Sequence, residues 1–455
     1  MKKIIIVLIA FFIGVFIIYF GLQNKVIYKS TLGLVSQNWE SNDSTKNLVS
    51  KPYEKLNNDK YIRWDAVHYK LIKDYGYNIE KAGGDYIFAF FPLFPYIWKI
   101  LNLPALGVVF LNYLFFAIGI YILINLFSNK KSFLINLFLS LSLPSLIIFF
   151  IPYSEATFFL MVSIGIYGFM KNKYGFLFLG FFMASLTRPA YTILFLSIIG
   201  AEFFFFFEYK KIVFMLKKIF LLTIPLIVGT ALVSGIQFFY GSGSIFKFVK
   251  VQRYWENILS MPHNLRDWSH EGFAINIGMI FLIFTPLIII FFQKFFDQLK
   301  STRTNVDDNK RNDKLYYITI LSIIYLIGST LFILLYRGGS LHCLFRFTLC
   351  SPFIYILLFG SFKYIEQVPK NFRFFIISTL SLLSIFILGL ADYSTYWNFS
   401  DFGIFILIFT LFLWLFQDNS EKLYFKIGLY LNLFLNIVWT TYLFNTYIAN
   451  GWIFA

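Results

Sequence analysis

The residues best suited to do chemistry lie in a short segment between the first and second apolar runs of the chain. Arg63, Trp64, Asp65, His68 and Tyr69 bring together a guanidinium, a carboxylate, an imidazole and two aromatic rings. A carboxylate is ionised at neutral pH and can take a proton from an attacking hydroxyl group. A solvated loop with aromatic anchors at a membrane surface is the competing interpretation of this segment.

The spacing within the segment suggests roles for two of its side chains. On a helix, residues three apart share a face, so we expect His68 beside Asp65. His68 then either contacts a substrate phosphate or hydroxyl, or holds Asp65 in place by a hydrogen bond. Asp65 also has a structural alternative, in which it pairs with Arg63 or caps a helix that begins at Ala66.

Further candidates lie in the polar segments between later apolar runs. An arginine can grip phosphate oxygens with two hydrogen bonds, although an arginine at a membrane boundary also anchors to lipid headgroups. A glutamate there can hold sugar hydroxyls, orient His68, contribute to a metal site or pair with an arginine, and aromatic rings can stack on a sugar. The candidates are Glu155, Arg188, Gln252, Trp255 and Arg346.

The composition identifies the class of protein that must position these groups. Apolar residues make up 58% of the chain, charged residues make up 14%, and the mean hydropathy is +0.70. Soluble domains have about a quarter charged residues. Apolar runs near the length that crosses a bilayer predict an all-α polytopic membrane protein with about 13 spans in a single domain, residues 1–455. The predicted spans are residues 4–20, 105–127, 133–151, 156–170, 174–186, 190–207, 219–240, 273–292, 316–336, 347–360, 374–390, 402–416 and 427–444.

Basic residues set the predicted orientation. Lys and Arg are concentrated in alternate turns between the predicted spans, and basic turns face the cytoplasm. We therefore expect a multi-pass protein of the plasma (inner) membrane with its N-terminus in the cytoplasm. The long first loop, residues 21–104, and all the candidate residues then fall on the extracytoplasmic side. The net charge of +16 reflects this topology and contact with anionic membrane lipids, and it does not indicate a nucleic-acid partner.

Three blocks in the first loop resemble a known family. They are Arg63 to Tyr69 (Arg-Trp-Asp-Ala-Val-His-Tyr), Gly76-Tyr77, and the Phe-Phe-Pro-Leu-Phe-Pro of residues 90–95. This pattern is similar to that of the PIG-V membrane mannosyltransferases and their bacterial relatives, in the GT-C glycosyltransferase superfamily. Matching blocks at residues 153–156 and 187–189, at Gln252 with Trp255, and at Arg346 extend the resemblance over most of the chain.

The resemblance implies a GT-C-like helical bundle and a polyprenyl-phosphate donor carrying a mannose-like sugar. It also implies inversion at the anomeric carbon, with Asp65 as the catalytic base. A glycolipid, a glycan or a protein are all open as acceptors. The chain departs from the family's pattern at Pro189-Ala190 and lacks a second carboxylate directly after Asp65, which leaves donor and acceptor identity open.

Two other classes of function compete with the enzyme. A lipid-linked sugar transporter or flippase needs ionisable residues near the centres of its spans, and the predicted spans carry few. A noncatalytic envelope-assembly protein would tolerate loss of Asp65. No cofactor is implied with certainty and a divalent metal ion is left open, although Cys343 and Cys350 lack zinc-site spacing and are predicted to be packing residues. Convergence of Asp65, Arg188 and Arg346 on one site would favour the enzyme.

Overall fold

The described part of the chain is a bundle of α-helices. The computed structural model describes residues 2–22, 57–128, 132–241, 243–255, 313–336, 343–360, 368–391 and 402–451, with isolated positions 260, 280, 285, 341, 365 and 453. Across those residues every regular element is helical, and none is a strand. The predicted span at residues 273–292 lies outside the described residues.

The helices are numbered here in chain order. They are α1 Lys2–Leu22, α2 Asp65–Tyr75, α3 Ile79–Ala82, α4 Leu93–Leu101, α5 Ala105–Phe127, α6 Phe133–Leu141, α7 Glu155–Met170, α8 Tyr174–Ser185, α9 Tyr191–Tyr209, α10 Ile212–Tyr240, α11 Lys247–Lys250, α12 Asp313–Tyr336, α13 Leu344–Leu349, α14 Pro352–Gly360, α15 Lys370–Ala391, α16 Gly403–Leu415 and α17 Leu423–Ile448. Short 3₁₀ helices cover Asn58–Tyr61, Asp85–Ala89, Pro144–Phe150, Val251–Trp255 and Gln417–Asn419.

The membrane character expected from the composition is supported by the helices themselves. Within the described ranges, five helices (α1, α5, α10, α12 and α17) are long and apolar enough to cross a membrane, and a bent pair would make six. These helices are compatible with a multi-pass membrane protein. The count of 13 spans and the orientation that depends on it stay predictions.

The predicted span at residues 133–151 is not one straight helix. Helix α6 ends at Leu141, and the chain turns by 78° into the 3₁₀ helix Pro144–Phe150, because a proline has no N–H group to continue the α-helical pattern. Carbonyl groups released at such a break need other donors in an apolar environment. The Asn436 amide donates to the carbonyls of Leu141 and Leu143 at 2.6 and 3.1 Å, which stabilises the break.

A second predicted span, residues 347–360, is also interrupted. Helix α13 ends at Leu349 and α14 begins at Pro352, because the ring of a proline clashes with the preceding helical turn. The break leaves α13 as a short separate helix that carries Arg346. Both Cys343 and Cys350, which flank α13, are buried free thiols.

Helices α7 and α8 form an antiparallel hairpin with a very close contact. A Cβ atom added to Gly180 would lie 2.3 Å from the backbone nitrogen of Gly165, so a side chain at this position would not fit without moving the backbone. Glycine therefore lets the two helices approach closely, as small residues do in membrane bundles. The hairpin holds Glu155 at its start and Arg188 just after its end.

The segment between α1 and α5 is folded against the bundle. Tyr69 of α2 packs edge-on against Phe94 of α4, with ring centroids 4.9 Å apart, and the Tyr77 hydroxyl donates to the Phe90 carbonyl at 2.7 Å. The Leu93 N–H donates to the carbonyl of Leu186 at 3.0 Å, which ties α4 to the end of α8. These contacts hold α2, and with it Asp65, against the end of the α7–α8 hairpin that carries Glu155 and Arg188.

Candidate active site

Four charged side chains from distant parts of the sequence meet at one end of the bundle, which we call the Asp65 end. Arg346 lies between two carboxylates: its Nη2 atom is 2.5 Å from Asp65 Oδ2, and its Nε atom is 2.5 Å from Glu155 Oε1. Arg188 Nη1 lies 2.8 Å from the same Glu155 oxygen. The site is thus a continuous chain of ion pairs that joins α2, α7, α13 and the α8–α9 connection.

The charges in this network are balanced but unequally exposed. Glu155 is fully buried at 0% side-chain exposure, Arg346 retains 9% and Asp65 retains 22%. Two carboxylates and two guanidinium groups sum to zero, which is what a buried cluster of charges requires. Asp65 is therefore the more accessible of the two carboxylates, while Glu155 is the buried counter-ion of both arginines.

Aromatic rings limit where the arginines can lie. The guanidinium carbon of Arg346 lies 4.8 Å from the centre of the Tyr153 ring, and that of Arg188 lies 5.2 Å from the centre of the Phe347 ring. A ring face attracts a cation and gives the planar group a defined orientation. Tyr153 also accepts a hydrogen bond from the Asp65 N–H at 3.3 Å.

The backbone before Asp65 is held in an unusual conformation. Trp64 has φ +51°, a positive value that non-glycine residues rarely adopt. The Tyr447 hydroxyl, from the last helix, accepts from the Arg63 N–H at 3.3 Å and contacts the Arg63 carbonyl at 3.1 Å. The indole N–H of Trp64 donates to the Gly451 carbonyl at 3.2 Å. Helix α17 therefore supports the turn that presents Asp65.

His68 lies on α2 in an aromatic surround. Its ring stacks on Phe90 at 4.7 Å and meets Tyr86 and Trp255 edge-on at 5.0 and 6.2 Å. Burial lowers the pKa of the imidazole, and the nearby Asp65 charge opposes that shift. The buried Nδ1 atom has no hydrogen-bond partner within the described part of the chain, and no bond joins His68 to Asp65.

The remaining predicted residues occupy supporting positions. Tyr69 is buried and its hydroxyl donates to Ser154 Oγ at 2.7 Å, so it is not an exposed surface for a sugar, and burial raises the pKa of its phenol. Arg63 is not paired with Asp65, because Arg346 takes that place, and the buried Arg63 Nε has no hydrogen-bond partner among the described residues. Gln252 donates to the Phe248 carbonyl at 3.3 Å, one helical turn back.

The carboxylates do not fit a divalent metal site. Arg346 already stands between Asp65 and Glu155, so a metal ion bridging them would have to displace a guanidinium group that both carboxylates bind. In the described ranges no group of three or more His, Cys, Asp or Glu residues is arranged to hold a metal ion. The donor set favours anion binding by arginine over metal binding.

An apolar groove begins beside the site. It has a volume of about 850 Å³ and runs between α9 and α10, with Tyr191 and Thr192 at one end and Ala231 and Phe238 among its lining residues. Tyr191 follows Arg188 by three positions in the sequence. This end of the groove is therefore close to Arg188 along the chain.

Comparison of the chain with protein-family models, with curated proteins and with solved structures finds no match in any of the three. The case for a function consequently rests on the residues and their geometry.

Sequence patterns did not reveal every supporting residue. Tyr447 stands in an apolar helix with no motif around it, and its role depends on a contact across 384 positions. Asn112 is similar: its amide donates to the carbonyls of Ile151 and Tyr153 at 2.6 and 2.9 Å, which steadies the turn before Glu155. An asparagine inside an apolar span was the available signal, because a buried amide needs hydrogen-bond partners.

Proposed function

We propose that this protein is a GT-C-type membrane glycosyltransferase, related to the PIG-V mannosyltransferases, that acts at the extracytoplasmic face of the plasma membrane. It would move a mannose-like sugar from a polyprenyl-phosphate donor to a glycolipid, glycan or protein acceptor. The observation that carries the proposal is the contact of Asp65 with Arg346, 281 positions apart in the sequence, next to Arg188. A carboxylate that substrate can reach, beside two arginines, supplies a base and a phosphate site together.

The reaction needs one proton acceptor and one anion site. The acceptor hydroxyl attacks the anomeric carbon from the face opposite the phosphate, the bond from that carbon to the phosphate oxygen breaks, and the configuration inverts. Asp65 takes the hydroxyl proton, and the bond electrons leave with the polyprenyl phosphate. Arg188 and Arg346 stabilise the charge that develops on the leaving phosphate, which is the usual role of cationic groups in such transfers.

The position of Arg346 suggests an order of events. Arg346 Nη2 lies 2.5 Å from Asp65 Oδ2, so in this arrangement that carboxylate oxygen is occupied by the guanidinium group. A donor phosphate that binds Arg346 would compete for the same N–H groups. This Asp65 oxygen would then become accessible to the acceptor hydroxyl only after the donor has bound.

A lipid-linked donor fits the surroundings of the site. The groove between α9 and α10 has an almost entirely apolar lining that includes Tyr191, three positions after Arg188, which supports a donor with a charged head and an isoprenoid tail. A nucleotide-sugar donor would instead place a polar base and ribose against apolar side chains, which is unfavourable.

The decisive experiment measures transfer of radiolabelled mannose from a synthetic polyprenyl-phosphate mannose to a membrane glycolipid extract by the purified protein in detergent. Asp65→Asn keeps the size of the side chain but removes the base, so we expect the rate to fall roughly 10²- to 10⁴-fold. Asp74→Asn is the matched control, because Asp74 lies on the same helix and, among the described residues, pairs with Lys70 and Lys73 at the surface.

The other outcomes separate the competing functions. Full transfer by a folded Asp65→Asn protein would show that a residue other than Asp65 is the catalytic base. Absence of transfer by the wild-type protein, together with movement of the lipid-linked sugar across vesicle membranes, would indicate a flippase. Absence of both would favour a noncatalytic envelope-assembly role.

A further inference from the structure

A second cavity lies at the other end of the same helices. It has a volume of about 410 Å³ and is lined by residues from the α7–α8 turn, the end of α9 and the starts of α10 and α12. Glu155 starts α7 and Arg188 lies between α8 and α9, so both are at the end of these helices that is opposite to the cavity. This cavity, which we call the lysine cavity, is therefore separate from the candidate active site.

The lining of the lysine cavity has an excess of positive charge. It contains Lys211, Lys217, Lys218 and Lys314 but one acidic side chain, Glu202, which leaves three positive charges uncompensated within the lining. Glu202 is buried and lies 3.0 Å from Lys218. Its charge is thereby matched to one lysine.

The other lysines are not neutralised in the same way. Lys314 donates to neutral oxygens, the Phe169 carbonyl at 3.0 Å and Asn172 Oδ1 at 2.5 Å. Within the described residues Lys211 and Lys217 have no carboxylate partner and are exposed. Several lysines on one side of a cavity create a field that favours an anion.

The remaining walls are apolar. Phe206, Phe214 and Leu221 line the cavity beside the lysines, and Phe214 and Leu221 are exposed on the bundle surface. Free phosphate would make no use of these side chains, whereas acyl chains would cover them. The cavity therefore combines the two chemical features of a phospholipid.

We propose that the lysine cavity binds an anionic phospholipid, with its phosphate among Lys211, Lys217 and Lys314 and the upper part of its acyl chains against Phe214 and Leu221. Basic pockets between membrane helices bind anionic headgroups in this manner. The inference does not depend on glycosyl transfer, because no residue of the Asp65 end takes part.

Native mass spectrometry of the purified full-length protein in detergent tests the proposal directly. The protein is incubated with phosphatidylglycerol or with phosphatidylcholine, and the retained lipid is counted. We expect phosphatidylglycerol to be retained at least about tenfold more strongly, and we expect Lys211→Gln with Lys217→Gln to remove roughly that preference, since both lysines act at close range. A Phe214→Asn variant should weaken retention of the lipid without changing the net charge.

The control is Lys171→Gln with Lys173→Gln, which removes the same charge from the adjacent α7–α8 turn but outside the cavity lining. Equal loss in both double variants would overturn the proposal, because it would mean attraction to the general surface charge. Displacement of the lipid by millimolar inorganic phosphate would also overturn it, since the apolar walls would then contribute nothing. Retention that survives phosphate but is lost in Phe214→Asn supports it.

Discussion

Glu155 is the side chain at this site whose charge is most completely removed from water. Its carboxylate is fully buried, one of its oxygens bonds to both arginines, and the other oxygen is buried without a hydrogen-bond partner in the described structure. A buried carboxylate of this kind is costly unless cations surround it. Its function in the site is to hold Arg188 and Arg346, and through Arg346 to place Asp65.

Replacing this counter-ion should therefore cost stability. In Glu155→Gln the two arginines would keep one carboxylate between them, which leaves a buried positive charge unmatched. We expect a loss of roughly 3 to 5 kcal/mol in unfolding free energy, seen as a lower midpoint of thermal unfolding in detergent. Glu80→Gln, at an exposed position of α3, should leave the midpoint unchanged, and equal midpoints for the two variants would contradict the role assigned to Glu155.

The residue types at the site were predictable, but their pairing was not. Charged residues make up only 14% of the chain, so each one between apolar runs is a candidate. Those that form the site are Asp65, Glu155, Arg188 and Arg346. Local spacing also placed His68 near Asp65 on one helix. By contrast, pairing of Asp65 with Arg63 was the structural alternative that proximity in the sequence offered, yet Arg346 holds that carboxylate from 281 positions away. The packing of the helices, and not the local sequence, determines which arginine contacts Asp65.

At the scale of elements, apolar runs located helices well and breaks poorly. Helices α5, α10, α12 and α17 cover the predicted spans at residues 105–127, 219–240, 316–336 and 427–444. The spans predicted at 133–151 and 347–360 were wrong as single helices, because hydropathy does not register the missing N–H of Pro144 and Pro352. Both breaks lead into the site, the first toward Glu155 and the second directly after the helix that carries Arg346.

The α7–α8 hairpin offers a test of how closely the elements must pack. Gly180→Ala would put a methyl group 2.3 Å from the backbone of Gly165, and overpacking of this kind costs about 1 to 3 kcal/mol. The matched control is Gly175→Ala on the same helix, where no atom lies within 4 Å of the added Cβ. We expect a lower thermal midpoint for the first variant alone; similar midpoints would show that the hairpin can separate without loss.

At the scale of the whole molecule, the apolar groove between α9 and α10 starts at Tyr191, three positions after Arg188 of the candidate active site. A substrate with a charged head and a long tail would use both. Ala231 lines the groove, whereas the next residue, Leu232, is exposed on the helix surface outside it. The two positions therefore separate an effect on the groove from a general effect of a bulky side chain on α10.

A bulky side chain in the groove should weaken binding of donors with long lipid tails more than binding of donors with short tails. We expect Ala231→Trp to raise the KM for a long-chain polyprenyl-phosphate mannose about tenfold, through loss of a few buried methylene groups, with little change for a short-chain analogue. Leu232→Trp should affect neither donor. A KM for the long-chain donor that is unchanged in Ala231→Trp would remove the groove from the substrate path while leaving the role of Asp65 intact.

The hydroxyl of Tyr447 has a consequence for how the protein is made. The turn before Asp65 is fixed by a residue that the ribosome adds 384 positions after Arg63, so early contacts among nascent helices cannot complete it. The Asp65 turn must wait, loosely placed, until the final helix inserts and docks against α1. Synthesis interrupted before that helix would give a chain with most of its described helices but without a fixed Asp65 turn.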